Sequence, residues 1–427
     1  MKIERAKGTR DFLPKEALAR QSMTDKLRKV FEKYGFSPTE TPILERYETL
    51  ASKYAGGSEI LKETFKLKDQ GDRELGLRYD LTVPLCRVIS SNPQLKMPFK
   101  RYQMERVFRD GPISAGRYRE FYQCDVDIIG CKNMTADAEL LALTKDVFKE
   151  LKLKVNIKAN NIKILYSILE YAGIKENKES VLLSLDKFEK IGEKGVIEEL
   201  KQKKIPEDSI KKLLTAIGTK GSNEDKIKKL DKLLQNKEGL EEMKQLIKYS
   251  KDFNADFELD LGLARGLSYY TGTVFEVKLK EGKITSSVAG GGRYDKIIGQ
   301  FIESKQEYPA VGISFGIDRI YDTTTLENRQ TISDVFVIPI NTLSKSIKIV
   351  QKLRAEGIKA EIDLLGRNIG KNLDYANTQG IPFVIFAGEK ELKAKKLKLK
   401  DMKSGKEQLS DLDSIIKTIK KSLTYSP

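Results

Sequence analysis

The stretch RYREFYQCDVDII, which begins at Arg117, sets the strongest constraint on the fold, because its side chains change character at every residue. The even positions (Tyr118, Glu120, Tyr122, Cys124, Val126, Ile128) are mostly apolar, while the odd ones are Arg117, Arg119, Phe121, Gln123, Asp125 and Asp127. Period-2 alternation sends successive side chains to opposite faces of a strand. One face therefore packs on a core, and the other presents two guanidiniums, an amide and two carboxylates. A solvated sheet surface with cross-strand ion pairs would account for such a face on one strand alone. The preceding RYQMERVFRDGPISAG adds Arg101, Arg106 and Arg109 ahead of a Gly/Pro/Ser loop. Two strands joined by that loop gather arginines where a phosphate can be gripped.

The surrounding chain alternates between patterns. After Pro14, Met23, Leu27, Val30, Phe31 and Tyr34 fall on one helical face, and Gly35 is placed to end the helix. Short strand-like segments fill residues 75–130. Residues 174–250 carry 18 lysines and 15 acids with leucines and isoleucines at helical spacing, which reads as a small helical insertion. Strand signals return in FELDLGLARGLSYYTGTVFEV, SSVAGGGRYDKIIGQF and YPAVGISFGIDRI. From residue 331 onward, DVFVIPI, IKAEIDLL and PFVIFAG alternate with helical patterns, as in a parallel or mixed α/β sheet. The expected division is 1–172, an insertion at 173–252, a return to the first domain at 253–328, and a separate unit at 329–427.

Residue usage narrows the chemistry. The chain of 427 residues has no histidine, which excludes a Ser-His-Asp triad, an H-E-x-x-H zinc site and an imidazole proton shuttle. Carboxylates, arginines, lysines, tyrosines or an oxygen-held metal must do the work, an inventory suited to phosphoryl or nucleotidyl transfer. Cys86, Cys124 and Cys131 form no C-x-x-C pair, so a reducing cytoplasm is the expected compartment. No apolar run suits a membrane span, and the opening MKIERAKGTRDFLP has no signal-peptide core. A net charge of +16 favours a polyanionic partner, although a lysine-rich solvated surface explains it equally well. There is neither a P-loop nor a G-x-G-x-x-G fingerprint. The triplet in AGGGRYD is more informative for its neighbours, Arg265, Tyr269 and Tyr270 upstream and GISFGIDR downstream.

Together these segments resemble the histidyl-tRNA synthetases, class II aminoacyl-tRNA synthetases, over essentially the full length. YGFSPTETPIL is similar to class II motif 1, with Pro42 as its proline, VFRDGPISAGRYREFYQCDVDIIG to motif 2, and VGISFGIDRI to motif 3, ending on Arg319. LARGLSYYTGTVFE and AGGGRYD resemble the two signatures peculiar to the family, and AEIDLLGRNIGKNLDYA its anticodon-binding domain. The resemblance implies an α/β protein: an α+β catalytic domain with an antiparallel six- or seven-stranded sheet, a helical insertion and a C-terminal α/β anticodon-binding domain. It also implies a homodimer built through motif 1. The reaction would join histidine to ATP as an adenylate, with Mg²⁺ expected, and then pass the acyl group to tRNA.

Carried over to this chain, Arg109 and Arg265 are the catalytic arginines on either side of the α-phosphate, and both also contact histidine. Arg319 holds the tail phosphates, and Arg117 is a further ATP contact. Asp80, Thr82 and Gln123 bind the amino group of histidine, while Asp127 and Tyr270 bind its ring nitrogens, with Tyr269 beside them. Three positions depart from the family pattern. Asp80 stands where glutamate is common, Gly111 where motif 2 commonly has its acidic residue near the adenine, and Ser268 where aspartate is common. A regulatory paralogue that activates ATP phosphoribosyltransferase is the alternative, but such proteins tend to lose the catalytic arginines and the C-terminal domain. A non-catalytic RNA-binding protein would explain the charge and leave the pocket residues unexplained.

Overall fold

The structure, a computed structural model, describes residues 3–51, 61–114, 116–264, 269–281, 286–301, 307–323 and 330–424. The chain forms two compact units, Met1–Arg10 with Met23–Thr324 and Asp11–Ser22 with Thr325–Pro427.

In the first unit the strands are β1 (Ser37–Pro38), β2 (Leu44–Arg46), β3 (Lys66–Lys68), β4 (Glu74–Leu77), β5 (Phe99–Phe108), β6 (Glu120–Ile129), β7 (Val155–Asn161), β8 (Glu258–Leu259), β9 (Thr273–Leu279), β10 (Ala289–Arg293) and β11 (Ala310–Gly316). Eight of them form one sheet in the order β1-β5-β6-β11-β10-β9-β7-β8, and β2-β4-β3 form a small second sheet. The six central strands of the large sheet are antiparallel. A two-residue parallel strand extends it at each edge.

The helices are α1 (Pro14–Lys33, in this unit from Met23 on), α2 (Tyr47–Leu50), α3 (Thr82–Ser91), α4 (Thr135–Glu150), α5 (Ile162–Tyr171), α6 (Lys178–Asp186), α7 (Phe188–Gln202), α8 (Glu207–Ile217), α9 (Asn223–Leu233), α10 (Glu238–Asp252), α11 (Ile297–Phe301) and α12 (Ile317–Thr323). The apolar stripe of α1 is buried at Met23, Leu27, Val30 and Phe31. Phe315 of β11 meets Phe31 at 5.8 Å and Phe148 of α4 at 6.0 Å between ring centroids. Burying each such ring contributes roughly 1.5–3 kcal/mol, so this side of the sheet is its core and the other side is left for a site. The helices α5–α10 fill the segment between β7 and β8. The GTKGSNEDK break is a helix start: Ser222 Oγ accepts from Asp225 N at 3.1 Å, and the Asp225 carboxylate accepts from Ser222 N at 3.1 Å. That reciprocal pair satisfies two amides at the head of α9.

The second unit has a five-stranded mixed sheet in the order β13-β12-β14-β15-β16, with β12 (Val335–Ile340), β13 (Ala360–Ile362), β14 (Phe383–Gly388), β15 (Leu397–Asp401) and β16 (Glu407–Ser410). The first three strands are parallel and the last two join antiparallel. Val335, Val337, Ile385, Ile415 and Ile419 are among its buried core residues.

Two of the three arginines expected to grip a phosphate do other work. Arg106 pairs with Glu120 on the outer side of the β5–β6 ribbon. Arg101 is wholly buried opposite Asp127, and that carboxylate takes up its charge. Strand register decides both outcomes, because Arg106 has the opposite parity to Arg101.

Candidate active site

On the free side of the large sheet lies a cleft of about 970 Å³. Its lining includes Asp80, Thr82, Arg109, Arg117, Gln123, Asp127, Tyr269, Tyr270 and Arg319, so nine of the ten residues singled out in the sequence share one cavity. Arg265 and Ser268 lie outside the described residues. Asp125, Phe121, Tyr294 and Asp318 also line the cleft.

The odd face of β6 is the floor of this cleft rather than a solvated surface: Gln123 is 8% exposed, and Asp125 and Asp127 are 4% exposed. The neighbouring strands treat Asp127 asymmetrically. On one side Arg101 stands opposite it, with Nη2 2.8 Å from Oδ2. On the other side stands Gly312, where a Cβ would overlap Asp127 Oδ1. Glycine is required there because the carboxylate fills the space a side chain would take. Tyr294 then donates its hydroxyl to Oδ1 at 2.5 Å. Arg101 approaches Oδ2 without hydrogen-bond alignment, so among the described residues Oδ2 is a buried acceptor with no aligned donor.

Burial pushes the Asp125 and Asp127 carboxyls up, and the Arg101 guanidinium opposes that shift. Gln123 Nε2 donates to both oxygens of Asp125 at 3.0 Å, which orients its carbonyl oxygen as the remaining acceptor, the polarity an ammonium needs. Asp80 Oδ1 accepts from Thr82 N at 3.2 Å and Val83 N at 3.0 Å, so one oxygen fastens the start of α3 while the residue lines the cleft. Asp80 is half-buried at the cleft, and desolvation raises its pKa to about 6, against the two amides and Arg109.

The glycine triplet acts by close packing. A Cβ on Gly292 would lie 2.8 Å from the Tyr270 ring, and one on Gly291 would overlap the carbonyl of Gly312. Tyr270 stacks beside Tyr269 at 4.6 Å, and Tyr269 meets Tyr294 edge-on at 6.4 Å. These rings make a wall on which a planar ligand can lie.

Arg109 enters from the end of β5. Its Nε donates to Tyr79 O at 3.0 Å and its guanidinium lies 5.1 Å from the Phe121 centroid, which fixes the fork and leaves the terminal nitrogens for an anion. Arg117 pairs with Glu63 at 2.6 Å. Gly111 explains that pair, since a Cβ at this position would lie 2.7 Å from the Glu63 carboxyl carbon. A carboxylate from another part of the chain thus occupies the room a side chain at 111 would need. Arg319, in the first turn of α12, donates to Ser287 O at 3.0 Å.

Sequence parity alone could have flagged Asp125 and Phe121, and adjacency to the triplet could have flagged Tyr294. Arg101 carried no such signal, because only the β5–β6 register brings it to Asp127. The cleft also makes a prediction: Gly312→Ala raises the KM for the ligand held at Asp127 by roughly 100-fold, because a displaced carboxylate misplaces its partner. Steady-state kinetics with far-UV circular dichroism checks this, and an unchanged KM in a folded protein would contradict it.

A central antiparallel sheet whose cleft is lined by both buried carboxylates and arginines is the architecture of the class II aminoacyl-tRNA synthetases. The family described as Histidyl-tRNA synthetase matches residues 8–320, and that described as Anticodon binding domain matches 334–422. The chain belongs to the histidyl-tRNA synthetase family. It is 44% identical to a histidine–tRNA ligase 1 of Bacillus cereus, covering 97% of this chain and 99% of that protein. It is 39% identical to histidine–tRNA ligase of Clostridium tetani, with 97% of each chain covered. The crystal structure of histidyl-tRNA synthetase from Nostoc sp. PCC 7120 superposes with a TM-score of 0.88 at 31% identity, covering 99% of this chain and 100% of that one. A Bacillus halodurans protein described as an ATP phosphoribosyltransferase regulatory subunit/histidyl-tRNA synthetase shares the fold at 24% identity and a TM-score of 0.77.

Proposed function

We propose that the chain attaches histidine to its tRNA in two steps within this cleft. A carboxylate oxygen of histidine attacks the α-phosphorus of ATP, the bond to the bridging oxygen breaks, and pyrophosphate leaves. A ribose hydroxyl at the 3′ end of the tRNA then attacks the acyl carbon, and AMP leaves. Positioning and charge neutralisation carry both steps, which suits a site without histidine. The observation that carries the reading is Asp127, a buried carboxylate that lines the same cleft as Arg109 and Arg319.

In this reading Asp127 and Tyr270 take the two ring nitrogens, and Asp80, Thr82 and Gln123 take the ammonium. Arg109 bridges the carboxylate and α-phosphate, with Arg265 opposite, while Arg117 and Arg319 hold the tail of ATP. Mg²⁺, which the family implies, would neutralise charge on the ATP phosphates beside Arg319 and Arg117; among the described residues no cluster of three or more acidic or thiol side chains is placed to hold a metal ion by itself, so the ion would come with the nucleotide. Residues 1–172 and 253–328 form the catalytic domain, 173–252 the insertion and 329–427 the anticodon-binding domain. The enzyme works in the cytoplasm as a homodimer formed through the segment around Pro42. Among the described residues no helix is long and apolar enough to cross a membrane.

The ammonium contact predicts a pH dependence. A carboxyl whose pKa is raised takes up its proton at higher pH than a free side chain, so Asp80 loses charge as pH falls through about 6. Between pH 7.5 and 5.5 the KM for histidine therefore rises through two causes, Asp80 and the substrate's own imidazole, which titrates near ~6.5. Asp80→Asn removes the first cause, giving a higher KM at neutral pH and a shallower slope. Equal slopes in both proteins would remove Asp80 from the ammonium site.

A further inference from the structure

Residues 8–10 line no part of the cleft, yet they touch both elements that hold its phosphate end. Gly8 accepts from Arg119 N at 2.9 Å, and its φ of +87° and its contact with the Arg119 stem exclude a side chain. Arg119 in turn accepts from Arg109 N at 2.8 Å and pairs with Asp110 at 3.0 Å. Two residues on, Arg10 reaches α12. Its Nη2 donates to Asp318 at 2.9 Å and its Nη1 to Asp322 at 3.2 Å. Its guanidinium lies 3.8 Å from the centroid of Tyr118, whose hydroxyl donates to Asp322 at 3.3 Å. Asp318 also accepts from Tyr122 N at 2.7 Å.

We propose that residues 8–10 are a strap that fixes the ATP end of the cleft, and that Arg10 is a positioning residue for Arg319. The logic is geometric. Arg319 is bracketed by Asp318 and, one helical turn on, Asp322, and Arg10 holds both carboxylates at once. The same guanidinium stacks on Tyr118 of the segment leading into β6, so the helix that carries Arg319 is tied to the strand that forms the floor. Without Arg10, α12 keeps the bond from Tyr122 N to Asp318 but loses the cation that spans Asp318 and Asp322, so the turn that carries Arg319 is held against β6 at one point instead of several. A terminal nitrogen of Arg319 then moves relative to the phosphates, while the strap makes no contact with Asp127, Tyr294 or Gly312, on which the histidine end is built.

The inference rests on the assignment of Arg319 to ATP, and the test separates the two. Histidine-dependent ATP–pyrophosphate exchange is measured for the full-length wild type, Arg10→Ala, Arg10→Lys, Asp322→Asn, the Arg10→Ala/Asp322→Asn pair and Arg319→Ala. The expected result is a rise of roughly tenfold in the ATP KM for Arg10→Ala, with the histidine KM within about twofold of wild type and partial rescue in Arg10→Lys. Arg10→Ala and Asp322→Asn should be non-additive in the double variant, because both break the Arg10–Asp322 contact. If Arg10→Ala does not fold, Arg10→Lys and Asp322→Asn carry the same test, since each must raise the ATP KM selectively. Equal rises in both KM values, or an unchanged ATP KM beside an impaired Arg319→Ala, would overturn the strap. An Arg319→Ala protein with ordinary ATP dependence would overturn the ATP assignment on which the strap depends.

Discussion

Replacing Arg109 with alanine should lower the rate of histidine-dependent ATP–pyrophosphate exchange by roughly 1,000-fold, the scale expected when a preorganised charge aimed at a developing oxyanion is removed. The preorganisation is visible in the free protein. Tyr79 O holds Nε at 3.0 Å and Phe121 supports the face of the guanidinium, so the fork does not need to find its geometry when substrate arrives. Arg109→Lys should recover little, because an ammonium is a point charge without the planar fork that bridges two oxygens. Both kcat and the histidine KM should suffer, since the residue is assigned to the carboxylate and the α-phosphate together. Thermal unfolding in parallel guards against a folding defect. A loss smaller than about tenfold in a folded Arg109→Ala protein would place the main charge stabilisation elsewhere.

Much of this site could be read from the chain because strand parity is a short-range property. Gln123 and Asp127 differ by an even number, so any extended conformation puts them on one face, and the structure finds both on the cleft floor. The stripe of α1 was legible for the same reason at a period of 3.6. Arg101 and Arg106 mark where that reasoning stopped. Their fates depend on the pairing of β5 with β6, a long-range choice that sets Arg101 against Asp127 and turns Arg106 outward. Glu63 was equally out of reach, since nothing near Gly111 in the chain announces that a residue 48 positions earlier will fill its space. The strap is a third case: Arg10 and Asp318 are 308 residues apart, and only the folded unit joins them.

The glycines divide in the same way. The triplet of AGGGRYD serves close packing, with Gly292 admitting the Tyr270 ring, and Gly312 on β11 likewise admits the Asp127 carboxylate. In the proposed reading they shape the amino-acid end of the cleft through the space they leave.

The central claim is that Asp127 reads the imidazole, and discrimination kinetics tests it most directly. Exchange is measured with histidine and with 2-thienylalanine, a ring of similar shape without N–H donors, in wild type and Asp127→Asn. A site that pairs both ring nitrogens should favour histidine by about 10,000-fold, because the apolar ring leaves buried polar groups unpaired. In Asp127→Asn the ratio should fall to roughly 100-fold, with the loss falling on histidine. The variant should also lose roughly 3 kcal/mol of stability, since Arg101 is wholly buried and gives up its nearest countercharge, so the assay is run well below its melting midpoint. A folded Asp127→Asn enzyme that kept the wild-type ratio would contradict the account.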